Sequence, residues 1–404
     1  MAKPLAGIKA IEVAMWAFVP AAGGILSDLG ATVIKIEPPT GDPLRGLQTG
    51  AASSGDNAFD LSWESYNRGK QSITLDLKQE AGRRVLYKLL EEADVFLTNL
   101  LPPARKTLKI DAEAIRARFP NLIYATGSGV GQRGPEADKG GFDAITFWAR
   151  GGISSSMSPE DAEFPVGPPG PAFGDTLSAA VLAGAIAAAI AQRAMTGHAS
   201  VVDVSLLGAA MWSMQRYIAQ ATHDNVAWLP RPVVDKPNNV LVNTYRTRDG
   251  RFVALCMLQA DRYWARLCEV AGRPDLAADP RFVDAKARRA NLSACVAEMK
   301  ALFASRTLAE WREVLSRQDG QWDVVQHVGE LKDDRQVQAN DYLQRIDCDD
   351  GRTLPLVSVP MQFDGETLRA RRSPDLGADS DAILARMGYD EDAIVDLKVA
   401  GVVL

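Results

Sequence analysis

One aspartate, Asp175, lies where a carboxylate could act as a nucleophile. It belongs to the segment GPAFGDTLSAA and directly precedes an Ala-rich run with the composition of a helix. A Gly-Asp-Thr sequence at such a place is also typical of a helix N-cap, whose carboxylate accepts a backbone N–H. The two roles are compatible, because the positive end of a helix keeps a neighbouring carboxylate ionised and therefore nucleophilic. Chain position alone favours the cap.

The histidines and cysteines do not have the spacing of a metal or redox site. No pair among the three histidines forms an HxxxH or HxH pattern. The four cysteines are far apart in the chain and include no CxxC pair. We therefore expect no metal ligands, no redox dithiol and no disulfide framework.

The first strand, turn, helix and second strand end in the acidic residue Glu37 and have the outline of a dinucleotide-binding unit. The residues between Val13 and Leu26 are AMWAFVPAAGGI, which contain no GxGxxG, so the backbone cannot approach a pyrophosphate in the usual way. The outline of a fold says little about function without the residues of the site. We therefore do not expect a nicotinamide or flavin site.

Alternating strands and helices must position these residues. Apolar runs predict strands at 8–13, 32–37, 72–77, 94–98, 121–126 and 200–206. Helical patterns occur at 20–29, 79–93, 111–119 and 176–193. This alternation predicts a doubly wound α/β domain with a mainly parallel, Rossmann-like sheet. Residues 154–170 are rich in Ser, Pro and Gly and are predicted to form a surface connection.

A second, smaller domain is predicted to follow. Three prolines between 228 and 237 interrupt the pattern, and TYRTRDGRFVALCML then predicts a hairpin around Asp249-Gly250, with helices to about 315. We predict a large domain over 1–225, a small α+β domain over 235–335, and a return of 340–404 to the large domain. That return should contain a strand pair around 349–351 and a final pair of helices.

Composition excludes several classes of partner. The 404 residues suit two domains, and 47% hydrophobic with 24% charged residues is ordinary for a globular protein. The net charge is -6 and there is no long Lys/Arg run, which argues against nucleic acid. The N-terminus lacks a signal-peptide pattern, and the weakly polar stretch 179–191 is too short to span a membrane. We expect a cytoplasmic protein without a membrane partner.

Seven motifs follow one another along nearly the whole chain. They are GIKAIEV, LSDLGATVIKIEPPTGDPLR, YNRGKQSITLDLK, ADVFLTNLLPPA, GGFDAITFWARGG, GDTLSAAVLAGAIAAAIAQRAMTGHASVVDVSL and LGADSDAILARMGY. In order and spacing they resemble the family III coenzyme A transferases, which include α-methylacyl-CoA racemases and formyl-CoA and carnitine CoA-transferases. The resemblance implies an enzyme whose partners are acyl-CoA thioesters and carboxylic acids, without a permanently bound cofactor, in an interlocked homodimer.

The family's catalytic aspartate lies in the turn that is Gly174-Asp175-Thr176 here, so the resemblance implies that Asp175 is a covalent nucleophile. Asp175 would attack the donor thioester, giving a mixed anhydride and free CoA thiolate. The thiolate would then attack the aspartyl carbonyl, forming an aspartyl-CoA thioester and releasing the first acid. The acceptor carboxylate repeats these steps in reverse, and energy passes between thioesters without ATP or a metal.

Where the racemases carry a catalytic histidine in a Gly-His-Asp segment, this chain has Gly141-Phe142-Asp143. Phenylalanine cannot shuttle a proton, whereas racemisation requires an acid and a base on opposite faces of the α-carbon. Because the transferases tend to carry an aromatic residue at this position, the resemblance favours CoA transfer. A racemase with its base elsewhere and a non-catalytic acyl-CoA-binding protein are the alternatives.

The matching positions also imply a CoA cleft. Its lining would be Met15, Trp16, Ala17, Phe18, Leu75, Lys78, Asn99, Leu100 and Phe142. For the apolar members, ordinary core packing is the alternative interpretation. Arg105 and Lys106 either pair with the nucleotide phosphates or are solvated surface cations.

Two features bear on the acyl group. The formyl-CoA branch has a glycine-rich loop in its second domain, and the corresponding region here, PNNVLVNTYRTRDG, lacks it. This weakens an oxalate or formate specificity. The side chains of Met15, Trp16 and Phe18 favour an apolar acyl group as a hypothesis.

Overall fold

The computed structural model describes residues 3–47, 59–229, 233–348 and 350–404. The chain forms two compact units. The first combines Met1–Leu229 with Arg335–Leu404, and the second is Pro230–Asp334. Each unit has its own hydrophobic core, as expected of a chain longer than one core usually supports.

A parallel sheet of six strands forms the centre of the first unit. The strands are β1 (Lys9–Val13), β2 (Thr32–Glu37), β3 (Gln71–Thr74), β4 (Val95–Thr98), β5 (Ile123–Ser128) and β6 (Val201–Ser205). Their order is β3-β2-β1-β4-β5-β6, and every pair is parallel. Strands β1 to β5 are buried along nearly their whole length, as in sheets with helices on both faces. The predicted α/β class with a mainly parallel sheet is confirmed.

Helices cover both faces of this sheet. They are α1 (Phe18–Asp28), α2 (Leu61–Asn67), α3 (Glu80–Glu91), α4 (Pro102–Leu108), α5 (Ala112–Arg118), a π-helix (Asp143–Arg150), α6 (Ile153–Met157), α7 (Phe173–Thr196), α8 (Leu206–Ser213) and α9 (Gln215–Asp224). One apolar cluster joins residues of α1 and α7, and a separate cluster joins residues of α3 and α5. The sheet therefore separates two packed layers.

Several elements differ from the sequence prediction. Helices α2 and α4 and the π-helix have no counterpart in it, because patterns of only seven or eight residues give a weak periodic signal. Residues 154–170, predicted to be irregular throughout, begin inside helix α6. The third predicted strand ends at Thr74, three residues early, although the Leu75 N–H still donates to the Glu37 carbonyl at 2.8 Å.

Helix α7 is longer than predicted. It spans 24 residues and begins at Phe173 rather than at 176. By length and composition alone it is able to cross a membrane, whereas the shorter stretch 179–191 was predicted to be too short for that. Leu182 and Ile186 on its inner face are fully buried in the cluster that also contains residues of α1, so in this fold it serves as a core helix.

The second unit contains a three-stranded antiparallel sheet with helices. The strands, in the order β7-β8-β9, are β7 (Val242–Arg246), β8 (Phe252–Cys256) and β9 (Trp322–Val324). The helices are α10 (Ala260–Val270), α11 (Pro274–Ala278), α12 (Ala285–Ala290), α13 (Leu292–Phe303) and α14 (Leu308–Leu315), followed by a 3-10 turn. Strands β7 and β8 form the predicted hairpin around Asp249-Gly250.

The C-terminal segment completes the first unit. It contains α15 (Arg335–Ala339), β10 (Leu343–Asp347), β11 (Thr353–Val357), β12 (Gln362–Phe363), β13 (Glu366–Thr367), α16 (Ser380–Arg386) and α17 (Glu391–Val399). Strands β10 and β11 are the predicted pair, although Asp349 in their turn lies outside the described residues. The Ser72 N–H donates to the Asp379 carboxylate at 2.8 Å, and the Leu404 N–H donates to the Thr74 hydroxyl at 2.8 Å. These bonds attach the segment to edge strand β3.

Candidate active site

The sheet order reverses between β1 and β4, and the carboxyl ends of these two strands form a crevice of the kind that binds ligands in open α/β sheets. The turn after β1 is held there by the side chain of Asn99, which follows β4. Met15 N–H donates to Asn99 Oδ1 at 3.0 Å, and Asn99 Nδ2 donates to the Met15 carbonyl at 2.6 Å. This paired contact fixes the turn at the mouth of the crevice.

Trp16 in this turn has a left-handed backbone, with a φ of 69°. That region is unfavourable for a bulky side chain. The Trp16 N–H donates to Asp42 Oδ1 at 3.1 Å, and the other Asp42 oxygen pairs with the Lys35 ammonium at 2.9 Å. The indole meets the Phe142 ring edge-on, with centroids 5.6 Å apart. A buried ion pair thus supports the strained turn that presents the indole.

Behind the turn lies a buried charge cluster that comprises Glu12, Lys35, Lys70 and Asp42. The Glu12 carboxylate pairs with Lys35 at 3.2 Å and with Lys70 at 2.8 Å, and the side chains of all three are fully buried. Burial lowers the pKa of Lys70 to about 8, although the Glu12 carboxylate opposes this effect. The backbone of α1 passes close by, since a Cβ on Gly23 would lie 2.0 Å from a Glu12 oxygen.

Asp175 occupies the first turn of α7 but does not cap it. The N-cap position belongs to Ala172, which has a φ of 54° and makes no side-chain bond. Instead, the buried Asp143 carboxylate, from the start of the π-helix, accepts the Gly174 N–H at 3.1 Å. The sequence interpretation of Asp175 as an N-cap is therefore wrong, because a residue 31 positions earlier accepts the N–H instead.

The electrostatics of Asp175 also differ from the expectation that the helix keeps it ionised. Burial, and then the charge of Asp143, raise the pKa of Asp175 to about 7. Burial likewise raises the pKa of Asp143, and the pKa of Tyr66 is raised by burial and by both carboxylates. The positive helix end opposes these effects without a direct bond. With this pKa, Asp175 changes charge near neutral pH, as groups in functional sites often do.

Two cavities meet at Asp175. The larger cavity, of about 330 Å³, lies among the ends of β1, β4 and β5 and residues 137–142. The smaller cavity, of about 240 Å³, lies among residues 44–47, α2 and residues 168–172. Trp16, Phe142 and Asp175 line both cavities. The aromatic pair thus stands beside the carboxylate at the boundary of two compartments.

Most of the residues proposed from the sequence come together in the larger cavity. Its lining includes Met15, Trp16, Ala17, Phe18, Asn99, Leu100, Phe142 and Asp175. Leu75 and Lys78 do not line it: Leu75 is a buried core residue and Lys78 is exposed. Lys106 is exposed and also does not line it. Arg105 is buried and reaches the lining indirectly, by donating to Gln132 Oε1 at 2.6 Å.

Sequence reasoning missed a wall of glycines in the larger cavity. Gly127 lies near the end of β5 and Gly129 directly follows the strand, and Gly140 and Gly141 line the same cavity. A Cβ on Gly129 would lie 2.8 Å from the Gly141 Cα, so the two backbones touch where no side chain fits. The sequence GSG directly after a buried strand was the available signal. Lys139, whose ammonium pairs with Glu136 at 3.0 Å, also lines this cavity and was not proposed.

No metal-ligand group of three or more His, Cys, Asp or Glu side chains occurs in the described part of the chain. The acidic residue at the end of β2, Glu37, is occupied otherwise: it accepts from the Arg45 guanidinium at 2.7 Å and from the Ser72 hydroxyl at 2.8 Å. A ribose hydroxyl would have to displace these partners.

We expect the pH dependence of the reaction to report on Asp143. If the Asp175 carboxylate must be ionised to react, the rate should rise with pH through about 7. The substitution Asp143→Asn keeps an oxygen that accepts the Gly174 N–H but removes the negative charge, so the acidic limb should move down by roughly 0.5 to 1 pH unit. The measurement is kcat/KM from pH 5 to 9. An unmoved or upward-moved limb would contradict the electrostatic role of Asp143.

Comparisons with known proteins identify the family of the chain. A family model described as CoA-transferase family III matches residues 5–380. The (R)-2-hydroxy-4-methylpentanoate CoA-transferase of Clostridioides difficile is 32% identical over 403 residues, covering 99% of each chain. The cinnamoyl-CoA:phenyllactate CoA-transferase of Clostridium sporogenes is 32% identical over 97% of this chain and 95% of its own. The crystal structure of a CAIB/BAIF family protein from Brucella suis superposes with a TM-score of 0.81 at 28% identity, covering 96% of this chain and 100% of that one.

Proposed function

The chain belongs to CoA-transferase family III, and from this membership we propose that it moves coenzyme A between an acyl-CoA donor and a carboxylic acid through covalent intermediates on Asp175. The observation that carries the proposal is the position of the Asp175 carboxylate on the wall of both cavities. A group that must first meet a thioester and then a free acid needs access to both. Within the described residues it lacks hydrogen-bond donors that would hold it inert.

The proposed steps are balanced without a further reagent. An Asp175 oxygen bonds to the thioester carbonyl and expels CoA thiolate, which leaves an aspartyl anhydride. The thiolate then attacks the aspartyl carbonyl, and the donor acid departs as its carboxylate. The acceptor carboxylate attacks the resulting aspartyl-CoA thioester and releases CoA thiolate, which leaves a second aspartyl anhydride. The thiolate then attacks the acceptor's carbonyl carbon, which forms the new acyl-CoA and regenerates the Asp175 carboxylate.

The larger cavity is the proposed place of the CoA thiol arm. Its glycine wall brings backbone close to a bound chain, and Asn99 fixes the turn that carries Met15 and Trp16. Phe142, at the position compared with the racemase histidine, has no group that transfers a proton, and the residue is 56% exposed. A racemase and a non-catalytic binding protein therefore have no specific observation in their favour.

The experiment is intact-protein mass spectrometry after incubation with a panel of acyl-CoA esters, followed by hydroxylamine trapping. We expect a CoA or acyl adduct that maps to Asp175. Asp224 is a matched control, since it is an exposed carboxylate on α9 away from both cavities and should stay unmodified. A panel in which every thioester leaves Asp175 unmodified, with normal turnover, would contradict the mechanism.

We also propose a homodimer that covers an apolar face of the first unit. Several large apolar side chains on α7, α8 and α9 are exposed, as those of an interface between two copies of the chain would be. They include Leu177, Val181, Met195, Met211, Trp212 and Tyr217. We expect light scattering to give twice the 43.6 kDa chain mass, and Trp212→Glu, which places a charge on a 68% exposed indole site, to increase the monomer fraction at least about tenfold. A monomeric wild type would contradict this. A location in the cytoplasm remains a prediction from the sequence.

A further inference from the structure

We propose that the smaller cavity holds the hydrocarbon part of a monocarboxylic acid, so that the acids this enzyme exchanges carry one carboxylate and an apolar tail. The proposal rests on Asp175 being the reacting group. It names the class of acid, which neither the sequence motifs nor the relatives determine for this chain.

The lining of the smaller cavity is apolar except near Asp175. Leu44, Leu47, Ala144, Pro168 and Pro171 form its walls. The polar lining consists of Ser62, Tyr66 and the two carboxylates of the site, Asp143 and Asp175. A tail placed against the leucine and proline side chains gains from leaving water. Its carboxylate end then lies toward the reacting carbonyl.

No cation is available in this lining for a second carboxylate. The described lining contains no Lys, Arg or His. Arg45 lies between Leu44 and Leu47 in the sequence, and its guanidinium already has partners: it pairs with Glu37 at 2.7 Å and lies 3.6 Å from the Trp63 ring centroid. Lys35 is committed to Asp42 and Glu12.

A dicarboxylate would therefore have to bury its second charge without a partner and next to two acidic side chains. Burying an unpaired charge is strongly unfavourable, and like charges nearby add to the cost. A branched or aromatic tail of the same size meets no such penalty. The cavity thus favours acids whose end remote from the reacting carboxylate is uncharged. The reacting carboxylate, which all the acids share, lies at Asp175.

The test compares two acids of nearly the same shape, 4-methylpentanoate and succinate, in which an isopropyl group replaces a carboxylate. With one acyl-CoA donor, we expect kcat/KM for 4-methylpentanoate to exceed that for succinate by at least about 100-fold. In Leu47→Arg, a guanidinium enters the cavity wall and should narrow this ratio at least about tenfold. Leu61→Arg is the matched control, since Leu61 is similarly exposed, 49% against 45% for Leu47, but does not line the cavity. It should keep the wild-type ratio.

The outcomes separate this inference from the mechanism. If Asp175 forms an adduct but succinate is used as well as 4-methylpentanoate, the substrate class is wrong and the mechanism stands. If no thioester modifies Asp175, the binding of the two free acids to the wild type and to Leu47→Arg is measured by calorimetry. Selective binding of 4-methylpentanoate by the wild type, weakened in Leu47→Arg, supports the apolar site. Equal binding of both acids, or of neither, overturns it.

Discussion

Replacing Asp175 by alanine is expected to lower kcat for CoA transfer by at least roughly 10⁴-fold, because every proposed bond change passes through this carboxylate. The intermediate adduct should disappear from the mass spectrum in the same variant. Steady-state transfer with a radiolabelled or chromogenic acid measures the loss. Residual transfer above about one per cent of the wild-type rate would exclude a covalent role, since no other lining carboxylate except Asp143 is present to replace it in the described cavity.

The thermal stability of Asp175 variants shows whether a loss of activity comes from a loss of structure. The folded-state pKa of Asp175, about 7, lies above its ordinary value of 3.8, so the folded protein binds the proton more tightly than the unfolded chain. The stabilisation from that proton is complete below pH 4 and is lost as the pH rises through about 7. The largest possible effect is about 4 kcal/mol, and partial exposure of the side chain reduces it to roughly 1–2 kcal/mol.

The variant Asp175→Asn, which carries no charge at any pH, should therefore be inactive yet unfold at a higher temperature than the wild type at pH 8. At pH 4 to 5 the two proteins should unfold at nearly the same temperature. A variant that loses activity and stability together at pH 8 would instead indicate a structural role for Asp175.

Replacing Glu12 by alanine should lower the free energy of unfolding by about 3–5 kcal/mol, which is a large part of the stability of most domains. The change leaves the ammonium of Lys70 buried without its carboxylate and leaves Lys35 with Asp42 alone. Urea unfolding measures the difference. Should the alanine variant fail to fold, Glu12→Gln keeps the shape and removes only the charge, and it is expected to be destabilised in the same direction.

Glu92→Ala provides the comparison. Its carboxylate also pairs with a lysine, Lys9, at 2.6 Å, but both side chains are largely exposed. Water and salt screen an exposed pair of this kind, so it contributes little and the variant should unfold close to the wild type. Equal losses for the Glu12 and Glu92 variants would mean that burial does not govern the cluster.

The parallel sheet could be predicted because each strand is recognisable from its own few residues. The segments TVIKIE and DVFLT are apolar, β-branched and bounded by turns, and both become strands. The π-helix at 143–150 could not be predicted, because its packing on α8 and α7 comes from residues far along the chain. Short elements depend on tertiary contacts, which a periodic pattern does not contain.

The candidate site also has a part that the sequence predicted and a part that it did not. Family motifs pointed to Asp175 and to the turn at Met15–Phe18, which the structure places on one cavity. Leu75 and Lys78 fell outside the cavity because β3 is an edge strand, far in sheet order from the crevice between β1 and β4. The raised pKa of Asp175 depends on Asp143, a partner that no spacing rule connects to it.

The left-handed backbone of Trp16 has a consequence for how this protein can change over generations. A glycine there would release about 1 kcal/mol or more of backbone strain, but it would remove the ring that meets Phe142 at the boundary of the two cavities. Selection for heat resistance and selection for turnover therefore pull this position in opposite directions. On the proposed function, the strained indole is retained for the reaction at the expense of stability.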